Sequence, residues 1–177
     1  MNYTPLIVAY YDGDSEVQLL SNFALTPFLL DEMKYQSVEG FWQGLKTEIP
    51  SIRSDIAMLS RGLDAKRIGQ ELSTSNIFSY AGNLYARGSE QHHALLERAI
   101  RAKTQQNIEV QKCFIDSYPR PLLHMIKNRF GQLRTGDSPT LPAKVFEDIL
   151  QRIRIELIEN TFDFETLPVL PSGFNEF

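Results

Sequence analysis

The sequence has little cysteine, no long apolar run and no excess of positive charge. Cys113 is the only cysteine among 177 residues, which excludes an internal disulfide and a zinc site built from several cysteines. The longest uncharged apolar run, residues 5–11, is far shorter than the ~20 residues that a membrane helix needs. The 18 Lys and Arg against 22 Asp and Glu give a net charge of −4, which argues against general coating of nucleic acid.

The N-terminal residues show neither the basic segment nor the cleavage site of a signal peptide, so we expect a cytoplasmic protein with no membrane partner. The composition, 42% hydrophobic and 23% charged, is typical of a folded globular protein. At this length we expect one domain, which can bury about 70% of the surface of its unfolded chain. We expect no resident metal ion and no cofactor.

Hydrophobic periodicity and turn residues predict an α+β protein that is mostly helical around a small β-sheet. We expect a strand at residues 5–11 and a hairpin turning at Asp31 and Glu32. The predicted helices are residues 37–49, a short one after Pro50, 64–72, 90–117, 121–128 and 142–160.

Two segments are predicted to lack regular structure. Residues 73–89 are rich in Ser, Asn and Gly with aromatics between them, which indicates a long loop. That loop is either a binding lid or a surface insertion held by its aromatics. Residues 161–177 contain two prolines and a glycine, and we expect them to lie against the domain as an irregular tail. The predicted domain therefore covers residues 1–160.

The first long helix carries an unusual polar stripe. Glu39, Gln43 and Lys46 have the spacing i, i+4, i+7, which places them on one helix face. Gly40 and Gly44 lie in the same helix, where each costs up to ~1 kcal/mol but permits close approach of a backbone or ligand. The stripe is either a solvated Glu–Lys face or a functional site.

A second anomaly lies in the helix predicted over residues 90–117. One apolar stripe comprises Leu96, Ile100, Lys103, Asn107, Val110 and Phe114. Lys103 and Asn107 interrupt it near its middle, and a buried lysine needs a partner or must lose its proton. Lys103 could instead extend its ammonium group to the edge of the core, but two polar residues on one seam favour a cleft wall.

Four blocks of the chain, in order within about residues 7–117, resemble the NADAR family, and in particular its YbiA-like branch. The blocks are LSNF at residues 20–23 with a following Pro27-Phe28, YQSVEGFWQGLK at 35–46, AKRIG at 65–69 and AKTQQN at 102–107. The resemblance implies an α+β fold with a single YbiA-like domain.

The resemblance also implies N-glycosidase activity on a ribose joined to a base or an amine. YbiA-like members split phosphoribosylamino-pyrimidine intermediates of riboflavin synthesis, and other members remove ADP-ribose from guanine in DNA. By the same resemblance the partner is a ribosyl-phosphate or ADP-ribosyl small molecule, or an ADP-ribosylated nucleic acid. Glu39 and Lys46 fall on the catalytic positions. The expected substrate-binding residues are Ser21, Asn22, Tyr35, Trp42, Gln43, Lys103 and Asn107.

Two mechanisms fit this set of residues. A carboxylate could stabilise an oxocarbenium-like centre at C1′ and activate water. Alternatively, a neutral Lys46 could attack C1′ and form a Schiff base, if burial or a second cation such as Lys103 lowers its pKa. The resemblance favours the lysine route, with Glu39 moving protons.

The chain also departs from the family pattern. Gly40 stands where the family usually has His, and the acid and tryptophan expected near the C-terminus are absent, although Asp137 could substitute for the acid. A catalytically weakened binder of ADP-ribose or nucleotide, or a structural domain, are therefore the alternatives. The candidate phosphate ligands are Lys103, Arg98, Arg129 and Arg134.

Overall fold

A computed structural model describes residues 3–72 and 75–173 and shows an α+β fold. The helices of these residues are α1 (Val38–Gly44), α2 (Pro50–Ala57), α3 (Gly62–Glu71), α4 (Glu90–Gln106), α5 (Ile108–Asp116) and α6 (Ala143–Ile158). The strands are β1 (Leu6–Ile7), β2 (Phe28–Leu30), β3 (Met33–Tyr35), β4 (Ile77–Tyr80), β5 (Asn83–Ala86), β6 (Leu122–Leu123), β7 (Met125–Lys127) and β8 (Leu133–Thr135). A short 3₁₀ helix covers Ser15–Leu20.

The strands of the described residues pair two by two. β1 and β6 are parallel, and the pairs β2–β3, β4–β5 and β7–β8 are antiparallel hairpins. The hairpin predicted at Asp31 and Glu32 is confirmed, with both residues at positive φ in its turn. The strand predicted at residues 5–11 is shortened to Leu6–Ile7, because Asp14 folds back and its side chain accepts the Ile7 N–H.

Helix α1 lies in the centre of the molecule, and all of its residues are buried. As predicted, Ser37 caps it, since its Oγ accepts the N–H of Gly40 at 3.1 Å. Helices α2, α3 and α4 pack against α1. A Cβ on Gly40 would lie 3.2 Å from the backbone oxygen of Ile56, so the glycine allows α2 to approach closely.

Two predicted segments have a different structure. Residues 73–89 are not a long loop, because β4 and β5 form a hairpin around Ala81 and Gly82, both at positive φ. Ser73 and Thr74 of that segment lie outside the described residues. Residues 121–128 are not a helix but contain β6 and most of β7, because a parallel partner for the first and a hairpin partner for the second satisfy their backbones.

The helix predicted over residues 90–117 is divided into α4 and α5. Asn107 leaves the helical conformation at φ −133° and ψ 102°, and its side chain donates to the carbonyls of Lys103 and Pro27. Asn107 therefore ends one helix and begins the next. The predicted apolar stripe continues across this break, and Lys103 lies buried within it.

The last described segment, residues 161–173, has neither helix nor strand and packs on the domain, as expected. Phe162 joins the hydrophobic core, and the carbonyl of Pro171 accepts a hydrogen bond from Tyr85. None of the helices within residues 3–72 and 75–173 is long and apolar enough to cross a membrane.

Candidate functional site

The predicted polar stripe of α1 begins at a buried carboxyl group. Glu39 is 6% exposed, and its Oε1 accepts a hydrogen bond of 2.7 Å from Nε2 of Gln43. Burial raises the pKa of Glu39 above its usual value, and the hydrogen bond from Gln43 offsets only part of that effect. Glu39 is therefore biased towards the protonated form, in which it can donate a proton.

Lys46 lies just beyond the end of α1 and is half-buried. Its ammonium group donates to the carbonyl of Gly69 on α3 at 2.9 Å. Burial and the positive charge of Arg87 lower the pKa of Lys46, while the charge of Glu39 opposes this shift. Lys46 can therefore lose its proton more easily than a solvated lysine, which is what a nucleophilic amine requires.

A close contact between α1 and α3 holds this region together. A Cβ built on Gly69 would lie 1.9 Å from Oε1 of Gln43, so only glycine fits at this position without movement. The carbonyl of the same Gly69 accepts the Lys46 ammonium group. Oε1 of Gln43 is buried and has no hydrogen-bond partner within residues 3–72 and 75–173.

Two adjoining cavities open beside Lys46, with volumes of about 100 and 430 Å³. Both are lined by Leu45, Lys46, Phe78 and Arg87, and we call the combined space the Lys46 cleft. The smaller cavity is also lined by Trp42, His92 and Thr140. The cleft therefore presents two basic side chains between apolar and aromatic walls, which suits an anionic ligand with a flat ring.

Trp42 and His92 form a stacked pair in the wall of the cleft. Their ring centres are 3.8 Å apart and their planes differ by 5°. Burial lowers the pKa of His92 to about 3, and the nearby charges of His93 and Arg87 add to this effect. Nδ1 of His92 accepts the backbone N–H of Gly88, so the neutral ring carries its proton on Nε2.

The sequence matches one family model, described as bacteriophage protein GP30.3, over residues 16–154. The chain belongs to the GP30.3 family. No curated protein matches this member of the family.

The fold of this GP30.3 family member is similar to a solved structure, the NMR structure of the Escherichia coli protein YbiA. The TM-score is 0.63 at 21% sequence identity, and the match covers 90% of this chain and 88% of that chain. At this identity the match establishes a shared fold. It confirms the single α+β, YbiA-like domain that the NADAR resemblance implied.

The fold brings together part of the predicted site. Lys46 and Trp42 line the cleft, and Glu39 and Gln43 are buried behind them on the same helix. Lys66, which the sequence did not single out, adds a further positive charge that influences the pKa of both Glu39 and Lys46.

Lys103 belongs to a second polar cluster, with Ser21, and lines neither cavity of the cleft. Its ammonium group donates to the carbonyl of Ser21 at 3.0 Å, and burial lowers its pKa to about 7. The carbonyl of Asn22 accepts the backbone N–H of Glu39 at 2.8 Å. The Ser21–Asn22 segment therefore connects Lys103 to the start of α1, and the second cation beside Lys46 is Arg87 rather than Lys103.

Other predicted residues are occupied elsewhere in the fold. Tyr35 is 2% exposed among core aromatics, and burial raises its pKa to about 12. Asn107 separates α4 from α5. Arg98 is paired with Asp31 at 2.6 Å, and Asp137 accepts the backbone N–H of Ala143 at the start of α6.

Sequence reasoning missed four residues of the cleft wall: Phe78, Arg87, His92 and Thr140. The first two border a segment assigned to a loop, whose hairpin was not recognised. The adjacent pair His92 and His93 was considered only as a metal site, for which its spacing is unsuitable. A stacked partner for Trp42 could not be inferred, because it lies 50 residues away along the chain.

Proposed function

We propose that this protein is an N-glycosidase that cleaves the bond between C1′ of a ribose phosphate or ADP-ribose and the nitrogen of a base or amine. The observation that carries the proposal is the half-buried Lys46 amine, which has a lowered pKa and lies on the wall shared by both cavities. The NADAR resemblance of the block around Lys46 and the YbiA-like fold support the same activity.

In the proposed reaction, the sugar ring opens and the neutral Nζ of Lys46 bonds to C1′. The bond between C1′ and the leaving nitrogen then breaks, and Glu39 supplies the proton that this nitrogen needs. Nζ gives up its own protons and forms an imine with C1′. Water adds to the imine, releases the sugar as an aldehyde and restores the amine, so that the net change is hydrolysis.

The remaining walls of the cleft would bind the substrate. Arg87 places positive charge opposite a sugar phosphate, as the pKa shift of Lys46 indicates. The stacked Trp42 and His92 supply a rigid aromatic wall, and the Nε2–H of His92 is a hydrogen-bond donor that stays neutral at physiological pH. The cavity of about 430 Å³ falls in the size range of small-ligand sites, whereas the one of about 100 Å³ does not.

The test combines substitution with chemical trapping. We expect Lys46→Ala and Lys46→Arg to abolish release of base from an ADP-ribosylated or phosphoribosylamino substrate, because a guanidinium cannot form the imine. Borohydride should reduce the intermediate and leave a sugar adduct on Lys46 of the wild type. The exposed Lys112 is the matched control, and Lys112→Ala should keep full turnover. Full turnover by Lys46→Ala, or trapping on another lysine, would contradict the Schiff-base mechanism.

A second candidate function is binding of ADP-ribose or nucleotide without turnover. It is favoured by the position of Asp137, whose side chain is used at the start of α6 and does not line the cleft. Loss of an acid beside the sugar should weaken transition-state stabilisation more than ground-state binding. Calorimetry with ADP-ribose and a base-release assay on one preparation separate the two functions, since binding with no release identifies the binder.

A further inference from the structure

The hairpin formed by β7 and β8 projects an aromatic and basic surface into solvent. All three residues of β8 are exposed, and Phe130 in the turn is 71% exposed. The guanidinium carbon of Arg129 lies 4.6 Å from the centre of the Phe130 ring. Gly131, at φ 77°, closes the turn, so the ring and the cation are presented together at the tip.

The charge of this hairpin differs from that of the rest of the chain. Residues 117–136 contain no Asp or Glu, although the whole chain has a net charge of −4. Within that stretch the hairpin carries Lys127, Arg129 and Arg134. Lys127 lies 3.8 Å from the carboxylate of Asp12, whereas no ion pair within residues 3–72 and 75–173 involves Arg129 or Arg134.

We propose that the β7–β8 hairpin is a docking surface for single-stranded nucleic acid. Proteins bind single strands by combining cations that contact phosphates with exposed aromatic rings on which bases stack. Arg129 and Arg134 supply the cations, and the exposed face of Phe130 supplies the stacking platform. The contact is local, which is consistent with an acidic protein that does not coat nucleic acid.

Charge complementarity favours a flexible polyanion over an anionic membrane. A single strand can follow the hairpin alone, whereas a planar membrane would bring its negative surface close to the rest of an acidic molecule. The apolar area is also small, because the large exposed apolar side chains of the hairpin are Phe130 and Leu133. Stable membrane binding needs a broader apolar face or a lipid anchor.

The hairpin is connected directly to the cleft wall. The chain from Thr135, the last residue of β8, to Thr140, which lines the smaller cavity, can span at most about 18 Å. A strand docked on the hairpin therefore passes within a few nucleotides of the Lys46 cleft. Delivery of a modified nucleotide to the cleft rests on the proposed function, but docking itself does not.

Fluorescence anisotropy with a labelled 20-nucleotide single-stranded DNA tests the surface. We expect wild-type protein to bind at low salt, and Phe130→Ala to weaken binding about tenfold or more through lost stacking. The pair Arg129→Gln and Arg134→Gln should reduce the slope of log affinity against log salt by about 2, roughly one for each lost phosphate contact. Because all three side chains are exposed, circular dichroism should show an unchanged fold.

Matched controls lie on α5. Ile115→Ala removes an apolar side chain that is 46% exposed, and Lys112→Gln removes an exposed cation, and both should bind DNA like the wild type. Lys46→Ala should keep DNA binding, and the hairpin variants should keep binding of ribose 5-phosphate, so failure of the surface and failure of the cleft are distinguishable. No DNA binding at low salt, equal binding by hairpin and control variants, or hairpin-dependent binding to phosphatidylserine vesicles alone would overturn the proposal.

Discussion

Lys46 and Lys103 are both withdrawn from water, but their surroundings give them different tasks. Lys46 borders an open cleft with Arg87 nearby, whereas Lys103 is 1% exposed and donates to the Ser21 carbonyl. The sequence could identify both residues, because each interrupts an apolar pattern. It could not tell which one meets the cleft, because burial alone does not say whether the space beyond the side chain is empty or filled.

Lys103 should make stability depend on pH. Its pKa falls from 10.5 in the unfolded chain to about 7 in the fold because of burial, so between these values the unfolded chain binds more protons. The free energy of unfolding should therefore rise with pH from about 7 towards 10, and this contribution is absent below pH 7, where both states are protonated. Lys103→Met, which retains the apolar length, should flatten this rise. Urea unfolding at a series of pH values measures it.

The matched control for Lys103 is an exposed lysine with the opposite shift. Hydrogen bonding to Glu109 raises the pKa of Lys112, so Lys112→Met should not flatten a rise of stability with pH. If wild type and Lys103→Met give parallel curves between pH 7 and 10, then Lys103 stays fully charged in the fold and its burial has been compensated by contacts with Ser21 alone.

At the scale of elements, helices were easier to predict than strands. Ser37 as a cap and Pro50 at a helix start are local signals, and α1, α2 and α6 lie where they were expected. The hairpin of β4 and β5 has strands of four residues and a turn that begins with Ala81 at positive φ, a conformation that alanine rarely adopts. Its pairing depends on tertiary contacts, and therefore its share of the cleft was missed.

The contact between α1 and α3 should be sensitive to one methyl group. Gly69→Ala would place a Cβ 1.9 Å from Oε1 of Gln43, forcing that amide away from Glu39 and disturbing the carbonyl that accepts Lys46. Overpacking typically costs about 1–3 kcal/mol, and the better helix propensity of alanine returns up to about 1 kcal/mol. We expect a net loss of about 1–2 kcal/mol in the free energy of unfolding, measured by urea denaturation.

Gly44→Ala is the control for this substitution, because its Cβ would meet mainly the flexible side chain of Arg53, at 3.2 Å. It should be near neutral. In the double variant Gln43→Ala with Gly69→Ala, the added methyl group has more room, so the cost of the Gly69 change should decrease. An unchanged cost in the Gln43→Ala background would show that the side chain of Gln43 is not what excludes a methyl group at Gly69.

At the scale of the whole molecule, the tail is part of the fold that supports the cleft. Pro171 accepts a hydrogen bond of 2.7 Å from Tyr85, and the Tyr85 ring stacks on Phe78 at 5.5 Å, which lines both cavities. The Pro168 carbonyl accepts a hydrogen bond from Arg98 of α4. The sequence indicated that the tail is irregular and lies on the domain, but its link to the cleft depends on contacts across about 86 residues.

The tail should therefore contribute to global stability through one buried ring. Phe162 is 6% exposed in the core, and the guanidinium carbon of Arg101 lies 5.6 Å from its ring centre. Phe162→Ala should lower the free energy of unfolding by about 3 kcal/mol, because it leaves a cavity in the core. Val169→Ala, at a tail position that is 91% exposed, should change it by less than about 0.5 kcal/mol. Equal and small effects of the two substitutions would mean that the tail detaches in solution, and the cleft would then have to keep its shape without it.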